Sequence, residues 1–227
     1  MISQEDQSFL VQHLSFWEHL TPSQQTLLFE HTHLVHFSAG QTLHSGDKDC
    51  IGIILIKNGS LRTYMLSEKG KDITLYRLFG GDLCTLSASC ILNHITFDVH
   101  IDAEEDTEAL LIHTSIFSQL IKENIYVENF SNKTTVERFS DVMWAMEQML
   151  FMSFDERLAL FLLDESAKCG CPTLKFTHEQ IAKYIGSARE VVSRMLKYFE
   201  QEGLVKLSRG GVTITDKAAL KQRFFTH

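Results

Sequence analysis

The sequence lacks the features of a membrane or secreted protein. No apolar run approaches the roughly 18 residues that are needed to cross a bilayer, and residues 1–20 are acidic and polar rather than basic and then apolar. Cysteine is scarce and occurs in an odd number, five, at irregular spacing. This pattern favours reduced thiols over a framework of disulfides. We therefore expect a cytoplasmic protein whose cysteines are free.

Positive charge is also in short supply over most of the chain. The formal net charge is −8, with 21 Lys and Arg side chains against 29 Asp and Glu. Residues 1–170 carry 11 positive and 24 negative side chains, whereas residues 171–227 carry 10 positive and 5 negative. Because phosphate binding depends on the cations that face the duplex and not on the whole-chain sum, the C-terminal quarter is a candidate for nucleic-acid binding.

What the chain does contain is typical of a globular protein. Of its 227 residues, 44% are hydrophobic and 22% are charged, which is enough apolar material for a core. The length favours two domains over one.

The periodicity changes from helical to strand-like after the first 33 residues. Residues 4–32 carry apolar side chains three or four positions apart, and Thr21-Pro22-Ser23 begins a second short helix. Short β-branched and aromatic segments then alternate with glycine-containing turns, the segments covering 51–57, 60–66, 72–79, 96–101 and 108–113. We predict a small antiparallel β-barrel or roll.

A long helix follows, over residues 134–153. Its apolar side chains alternate spacings of three and four, as in a coiled-coil seam; they are Val136, Phe139, Met143, Met146 and Leu150. An ordinary amphipathic helix packed on its own barrel gives the same spacing. A seam of this length behind a complete barrel favours a partner helix, and we predict a symmetric homodimer with these residues at the interface.

Two capping boxes lie close together in the basic quarter. Thr177 and Gln180 have the spacing of the first box, and Ser187 and Glu190 have that of the second. Gly186 suits the tight turn between the two short helices. This arrangement predicts a helix-turn-helix.

The second of these helices, at about 188–202, is strongly two-sided at 100° per residue. One side is apolar, and the opposite arc carries Arg189, Glu190, Ser193, Arg194 and Lys197. Arginine donates two hydrogen bonds to guanine and a carboxylate accepts one from cytosine. We predict that these residues, together with Thr177 and Arg209 of a β-hairpin wing, contact DNA. The alternative is that the charges only solvate an exposed helix face.

Residues 176–207, reading FTHEQIAKYIGSAREVVSRMLKYFEQEGLVKL, resemble the winged helix-turn-helix of the Crp/Fnr regulators. The glycine turns at Gly40, Gly46, Gly59, Gly70 and Gly81 extend the resemblance to the family's cyclic-nucleotide-binding barrel. The resemblance implies that Glu190 and Arg194 are the principal base readers. Arg189 matches an arginine of the cyclic-AMP branch and Ser193 a serine of the Fnr branch, which leaves the operator sequence open.

The same resemblance implies an α+β fold in three parts. Residues 1–114 form a sensor domain, with N-terminal helices and an antiparallel β-barrel of the double-stranded β-helix type. Residues 115–154 form the dimerisation helix region, and residues 155–227 form the winged helix-turn-helix. The implied partners are a second copy of the chain, double-stranded DNA with a palindromic operator, RNA polymerase and a small-molecule effector. Activation and repression both remain open.

The candidate effector segment, residues 81–97, contains no arginine. A cyclic phosphate would lack its charge-assisted hydrogen bonds there, so we do not expect cyclic AMP to bind. The N-terminal 32 residues contain no cysteine, which excludes an iron–sulfur cluster of the Fnr type. The candidate pocket residues are Leu83, Cys84, Leu86, Ser87, Ser89, Cys90, His94 and Phe97.

The role of the two thiols in this segment stays open. Cys84 and Cys90 are suited to sensing redox state or nitric oxide or to binding haem, but small buried thiols are also common in inert cores. A neutral apolar or aromatic effector is a further alternative. No other metal is expected, because Cys169-Gly170-Cys171 lacks the second ligand pair that zinc needs.

The rival class of function is an enzyme built on the barrel. The pair His31-x-His33 raises a metal-dependent cupin, but the further ligands that such a site needs are not found in the sequence. No nucleophile–base pair or phosphate loop supports catalysis. We therefore expect a transcription regulator and not an enzyme.

Overall fold

A computed structural model describes residues 2–46, 51–87 and 98–225. It divides into two compact units. The first comprises Met1–Lys71 and Leu75–Met143, and the second comprises Asp72–Thr74 and Trp144–His227. No helix among the described residues is long and apolar enough to cross a membrane.

The first unit begins with two short helices. Helix α1 spans Gln4–His13 and helix α2 spans Pro22–Glu30, with a 3-10 turn at Trp17–His19 between them. Capping boxes begin both helices: Ser3 with Asp6, and Thr21 with Gln24. Each box satisfies amide groups that have no partner within the helix. These two helices confirm the periodicity seen in the sequence.

The described residues after these helices form two antiparallel sheets. In chain order the strands are β1 (Thr32–Phe37), β2 (Thr42–Ser45), β3 (Ile53–Asn58), β4 (Ser60–Leu66), β5 (Asp72–Phe79), β6 (Leu83–Cys84), β7 (His100–Ala103) and β8 (Thr107–Ile112). One sheet has the order β1-β8-β3-β6 and the other β2-β7-β4-β5. The predicted antiparallel β domain is confirmed, as two sheets rather than one closed barrel in the described part of the chain.

The turn between β3 and β4 requires glycine. Gly59 has φ +92°, and a Cβ there would lie 2.5 Å from the Thr107 hydroxyl oxygen. A side chain is excluded both by the backbone conformation and by the space. This close approach lets the β3–β4 turn pack directly on β8.

The two sheets enclose one apolar core. Ile54, Ile56 and Ala109 from the first sheet pack with Leu61 and Ile101 from the second. A second core lies where β3 and β8 meet the N-terminal helices, and it contains Leu10, Leu14, Phe16, Leu28, Leu55, Leu110 and Phe117. The lysine at position 57 bridges Asp6 at 2.6 Å and Glu108 at 2.8 Å, which ties α1 to these strands.

Three helices follow the strands. They are α3 (Thr114–Glu123), α4 (Ile125–Phe151) and α5 (Phe154–Cys169). The long helix therefore starts nine residues before the predicted position 134. Its first part is anchored by Val127, which is fully buried among the N-terminal helices.

The second unit combines helices with a small sheet. Beyond α5 it contains β9 (Thr173–Leu174), α6 (His178–Tyr184), α7 (Arg189–Gln201), β10 (Val205–Ser208), β11 (Gly211–Ile214) and α8 (Lys217–Phe225). The strand order is β10-β11-β9. Its core includes Leu158, Leu162, Ile181, Val192, Leu196, Phe199 and Leu220, all fully buried.

The cysteines differ from the expectation of free thiols. Cys84 is free and buried, but Cys169 and Cys171 form a disulfide. The expectation was wrong for this pair, because the tight corner at the end of α5 brings the two residues to a Cα–Cα distance of 5.3 Å.

Candidate nucleic-acid interface

The first helix of the predicted pair begins as expected. The Thr177 hydroxyl accepts a hydrogen bond from the Gln180 amide at 3.1 Å, and the Thr177 amide donates to Gln180 Oε1 at 2.8 Å. The capping box therefore fixes where α6 starts. Ile181 and Ala182 are buried on its inner side. Thr177 itself is exposed, so its outer surface is open to a ligand.

The turn between α6 and α7 is closed by the backbone. Gly186 is left-handed at φ +65°, and the Ser187 amide donates to the Ala182 carbonyl at 2.9 Å. This six-residue bond is the Schellman arrangement that ends many helices. It requires a positive φ, which glycine adopts without strain.

The predicted second capping box was wrong. Helix α7 begins at Arg189, its N-cap is Ala188, and no side chain caps it. The predicted N-cap, Ser187, lies one residue too early because its backbone ends α6. The first amide groups of α7 consequently have no side-chain cap, and the electropositive end of the helix is available to an anion.

Helix α7 separates apolar from charged residues. Val192, Leu196 and Phe199 are fully buried against the core of the second unit. The predicted DNA-contacting residues lie on the outer side, where Arg189, Glu190, Arg194 and Lys197 are exposed and Ser193 is half-buried. The structure thus places all five on one accessible side of the helix, from its first residue to its third turn.

Sequence reasoning missed His178, the first residue of α6. Burial lowers the pKa of His178, and the positive charges of Arg189 and Lys197 lower it further. The imidazole therefore lies within the field of the α7 cations. Its position directly after Thr177, which was itself predicted to contact DNA, was the available signal.

The wing is a two-stranded hairpin with Arg209 at its tip. β10 and β11 pair from Val205↔Ile214 to Ser208↔Gly211, which leaves Arg209 and Gly210 as the loop. Gly210 has φ +77°, as a tight hairpin requires. The Arg209 side chain is exposed.

Two further elements of this unit were not predicted. β9 pairs with β11 through Leu174↔Val212 and adds a third strand to the wing sheet. Helix α8 buries Leu220 in the core, and Asp216 accepts a hydrogen bond from the Ala219 amide at 2.9 Å. The Asp216 side chain before an Ala-Ala-Leu segment was the available signal for α8.

The predicted dimer residues lie on an exposed apolar stripe of α4. Their exposed fractions are 63% for Val136, 63% for Phe139, 45% for Met143, 46% for Met146 and 67% for Leu150. The neighbouring Val142 packs instead on the core between the two sheets. The five residues therefore form an exposed apolar side of α4 in the single chain.

Four of the eight predicted effector residues lie within the described part of the chain. Leu83, Cys84 and Leu86 are buried in the apolar cores, and the buried Ser87 hydroxyl donates to the Gly52 carbonyl at 2.6 Å. Burial raises the pKa of the Cys84 thiol. The other predicted residues, Ser89, Cys90, His94 and Phe97, lie outside the described residues.

An arginine from outside this segment approaches the same core. The Arg138 guanidinium of α4 lies 5.5 Å from the ring centroid of Tyr76, a residue that packs in the core with Cys84. It forms an ion pair with Asp141 at 3.0 Å. Arg138 lies outside residues 81–97, the predicted effector segment, so this cation was not predicted.

Comparisons with known proteins identify the DNA-binding unit. Residues 156–223 match the model of the Crp-like helix-turn-helix domain. The cyclic AMP receptor protein of Thermus thermophilus is 25% identical over 173 residues, which cover 76% of this chain and 79% of that protein. The fumarate and nitrate reduction regulatory protein of Escherichia coli is 25% identical over 194 residues, or 81% of this chain and 75% of that protein.

Solved structures extend the similarity to almost the whole chain. A protein of Eubacterium rectale that is assigned to the Crp/Fnr family of transcriptional regulators is 46% identical, with a TM-score of 0.88, over 93% of this chain and 98% of its own. FixK2 from Bradyrhizobium japonicum has a TM-score of 0.70 at 16% identity, covering 86% of this chain and 98% of its own, which shows a shared fold. The chain therefore belongs to the Crp/Fnr family of transcription regulators and carries a DNA-binding helix-turn-helix.

Proposed function

We propose that this protein is a cytoplasmic, homodimeric regulator that binds a palindromic operator and responds to a signal other than cyclic AMP. The observation that carries the DNA-binding part is the two-sided surface of α7, in which three fully buried apolar residues fix the helix while its charged side stays exposed. Helices of this kind enter the major groove with their N-terminal residues against the bases.

We assign different contacts to the charged residues. Arg194 reads a guanine and Glu190 a cytosine, as their donors and acceptors allow. Arg189 and Ser193 supply further base contacts, and Lys197 lies beside them. Thr177, His178 and Arg209 contact phosphates from the start of α6 and from the wing tip, where an exposed group meets the backbone of the duplex.

The homodimer is proposed from the apolar stripe of α4. Exposed apolar side chains in a continuous row mark an interface in soluble proteins. A second copy supplies a matching stripe through a two-fold axis, with the helices packed as a coiled coil. Residues 115–154 then form the dimerisation region, between a sensor domain over 1–114 and a DNA-binding domain over 155–227.

A palindromic operator follows from that symmetry. Two recognition helices related by a two-fold axis meet successive major grooves about 34 Å apart. The operator is then an inverted repeat. RNA polymerase is the proposed protein partner of the dimer on this operator.

The sensor part is proposed to take a neutral or aromatic effector or to use thiol chemistry. Arg138 is already engaged by Asp141 and lies against Tyr76, so a cyclic phosphate would have to displace these contacts. The buried, protonated Cys84 favours an apolar environment over an anion-binding one. The protein has no proposed catalytic role.

Selection of binding sites from random DNA tests this function. The expected product is an inverted repeat whose half-sites lie about one helical turn apart, with an affinity that falls steeply as salt rises. Cyclic AMP and cyclic GMP at millimolar concentration should change neither this affinity nor the melting temperature. Recovery of no palindromic motif would contradict the proposed mode of binding, and a melting shift with micromolar cyclic AMP would contradict the proposed effector class.

A further inference from the structure

The disulfide between Cys169 and Cys171 lies at the corner between α5 and β9. Cys169 is the last residue of α5, and Gly170 ends the helix in the left-handed conformation at φ +64°. The side chain of Cys169 is exposed and that of Cys171 is half-buried. The contacts proposed above for DNA and for the dimer do not involve either cysteine.

Hydrogen bonds other than the disulfide hold this corner in place. Ser166 is fully buried, and its hydroxyl donates to the Cys171 carbonyl at 2.6 Å. The Gly170 amide donates to the Ala167 carbonyl at 3.4 Å. The two Cα atoms are 5.3 Å apart, within the range that a disulfide spans. The two sulfur atoms therefore stay adjacent after reduction, and each thiol sees the other at high effective concentration.

The bond contributes little to the free energy of unfolding of the whole chain, so its restraint is local. The stabilisation from a disulfide grows with the length of the loop that it closes, and this loop contains three residues. Small thiols can reach the exposed Cys169 sulfur, and exposed disulfides are the ones that exchange readily. An accessible disulfide that closes a three-residue loop is suited to reversible thiol–disulfide exchange.

We propose that Cys169 and Cys171 form a reversible redox site that exchanges with low-molecular-weight disulfides. In the oxidising direction, the Cys169 thiolate attacks one sulfur of the small disulfide and one small thiolate leaves. The Cys171 thiolate then attacks the Cys169 sulfur and displaces the second small thiolate. The protein loses two thiol hydrogens and two electrons, and the small disulfide is reduced to two thiols.

The redox state of this site acts on the edge of the wing sheet. The Pro172 carbonyl accepts a hydrogen bond from the Ile214 amide at 2.8 Å, and the next residue, Thr173, pairs with Thr213. Reduction leaves these contacts possible but removes the covalent restraint one residue before them. The reduced form therefore opens the β9–β11 pairing more often than the oxidised form.

A redox titration of the full chain tests the chemistry. The protein is equilibrated in buffers with varied ratios of reduced to oxidised glutathione, and its free thiols are then alkylated. Mass spectrometry measures the mass of the peptide that contains residues 169–171. The disulfide fraction should follow the glutathione ratio reversibly. Cys171→Ser should accumulate a glutathione adduct on Cys169, whereas Cys50→Ser should titrate as the wild type does. A peptide that stays dialkylated in oxidised glutathione, or stays oxidised in excess dithiothreitol, overturns the proposal.

Hydrogen exchange tests the effect on the wing. Peptides that cover residues 212–215 should exchange faster in the reduced wild-type protein than in the oxidised protein. Both states are the same chain, so the comparison does not depend on the folding of a variant. The Cys169→Ser/Cys171→Ser variant should show no difference between the two buffers. Equal exchange in the two states of the wild type overturns the proposed effect on the sheet.

Discussion

Helices α4 and α7 each leave one side exposed, but the two exposed sides have opposite chemistry. On α7 the outer side carries Arg189, Arg194 and Lys197, which water solvates without cost to the fold. On α4 the outer side is apolar, with Phe139 and Leu150 each more than 60% exposed. Positively charged surfaces attract a polyanion from a distance. Apolar surfaces gain free energy when a partner covers them and excludes water. The first side is suited to DNA and the second to another copy of the helix.

The largest expected effect concerns the apolar side. Phe139→Asp/Met143→Asp should convert a dimer to a monomer, because burying like charges across a two-fold interface costs about 3 kcal/mol or more, a factor of roughly 100 in the dissociation constant. Sedimentation velocity measures the outcome. Lys122→Asp is the matched control: it changes the net charge by the same amount, but this exposed residue lies in α3, outside the α4 stripe. A stable dimer of the double variant would show that the interface lies elsewhere.

The next effect concerns the charged side. Arg194→Ala should remove discrimination at one guanine in each half-site, at a cost of about 1–3 kcal/mol. Arg209→Ala should weaken binding to all sequences by similar factors, because a phosphate contact carries no base information. Fluorescence anisotropy on the selected operator and on single-base variants measures both. If Arg194→Ala keeps the preference for that guanine, Arg194 does not read the base.

A smaller effect links the redox site to the charged side. The oxidised protein should bind the selected operator roughly threefold more tightly than the reduced protein, equal to about 0.6 kcal/mol, because the wing sheet that carries Arg209 is better ordered. Anisotropy titrations in oxidised and reduced buffers measure the ratio. Cys50→Ser should keep the ratio and the double variant at 169 and 171 should lose it. A ratio of one in the wild type would mean that the wing edge does not affect binding.

The smallest effect is a pH dependence from His178. Its pKa lies below the ordinary value because of burial and of Arg189 and Lys197. Phosphates placed beside these cations offset the repulsion, so DNA binding takes up a proton and affinity should rise as pH falls towards 6. The affinity of His178→Gln should change less over the same range, as anisotropy at fixed salt would show. Identical pH profiles for the two proteins would place His178 away from phosphate.

The lowered pKa of His178 also makes the folding stability depend on pH. The unfolded chain binds a proton to His178 more readily than the folded chain does. Folding is therefore disfavoured as pH falls below about 6.5, the ordinary value for histidine. Bound DNA should offset part of this loss of stability. Melting experiments with and without the operator therefore separate the pH dependence of folding from that of DNA binding.

Local sequence signals predicted the DNA-binding unit well because short-range physics determines it. The Thr177 box and the 100° separation of Val192 and Leu196 from Arg194 depend on neighbours within one or two turns. The predicted second capping box at Ser187 was wrong for a different reason. The Ser187 amide donates to the Ala182 carbonyl and ends α6, so Ala188 becomes the N-cap of α7. Helix α8 was missed because its burial depends on Leu220 reaching a core formed by distant residues.

The sensor unit was less accessible to the same reasoning. Turn glycines and alternating segments predicted strands, but the division into two sheets depends on pairings such as β1 with β8, whose residues lie 70 or more positions apart. Arg138 approaches Tyr76 from a separate helix, and no spacing rule relates the two positions. The effector therefore remains a proposal, while the family and the DNA-binding motif are established.

The backbone-closed turn at Gly186 has a consequence for how this regulator can diversify. The angle between α6 and α7 is set by a glycine and by main-chain bonds, and the position of α7 is set by Val192, Leu196 and Phe199. The outward-facing side chains of α7 determine neither this angle nor the position of the helix. With the proposed base contacts, single substitutions at positions 189, 190, 193, 194 and 197 would change the operator preference while leaving folding stability nearly unchanged.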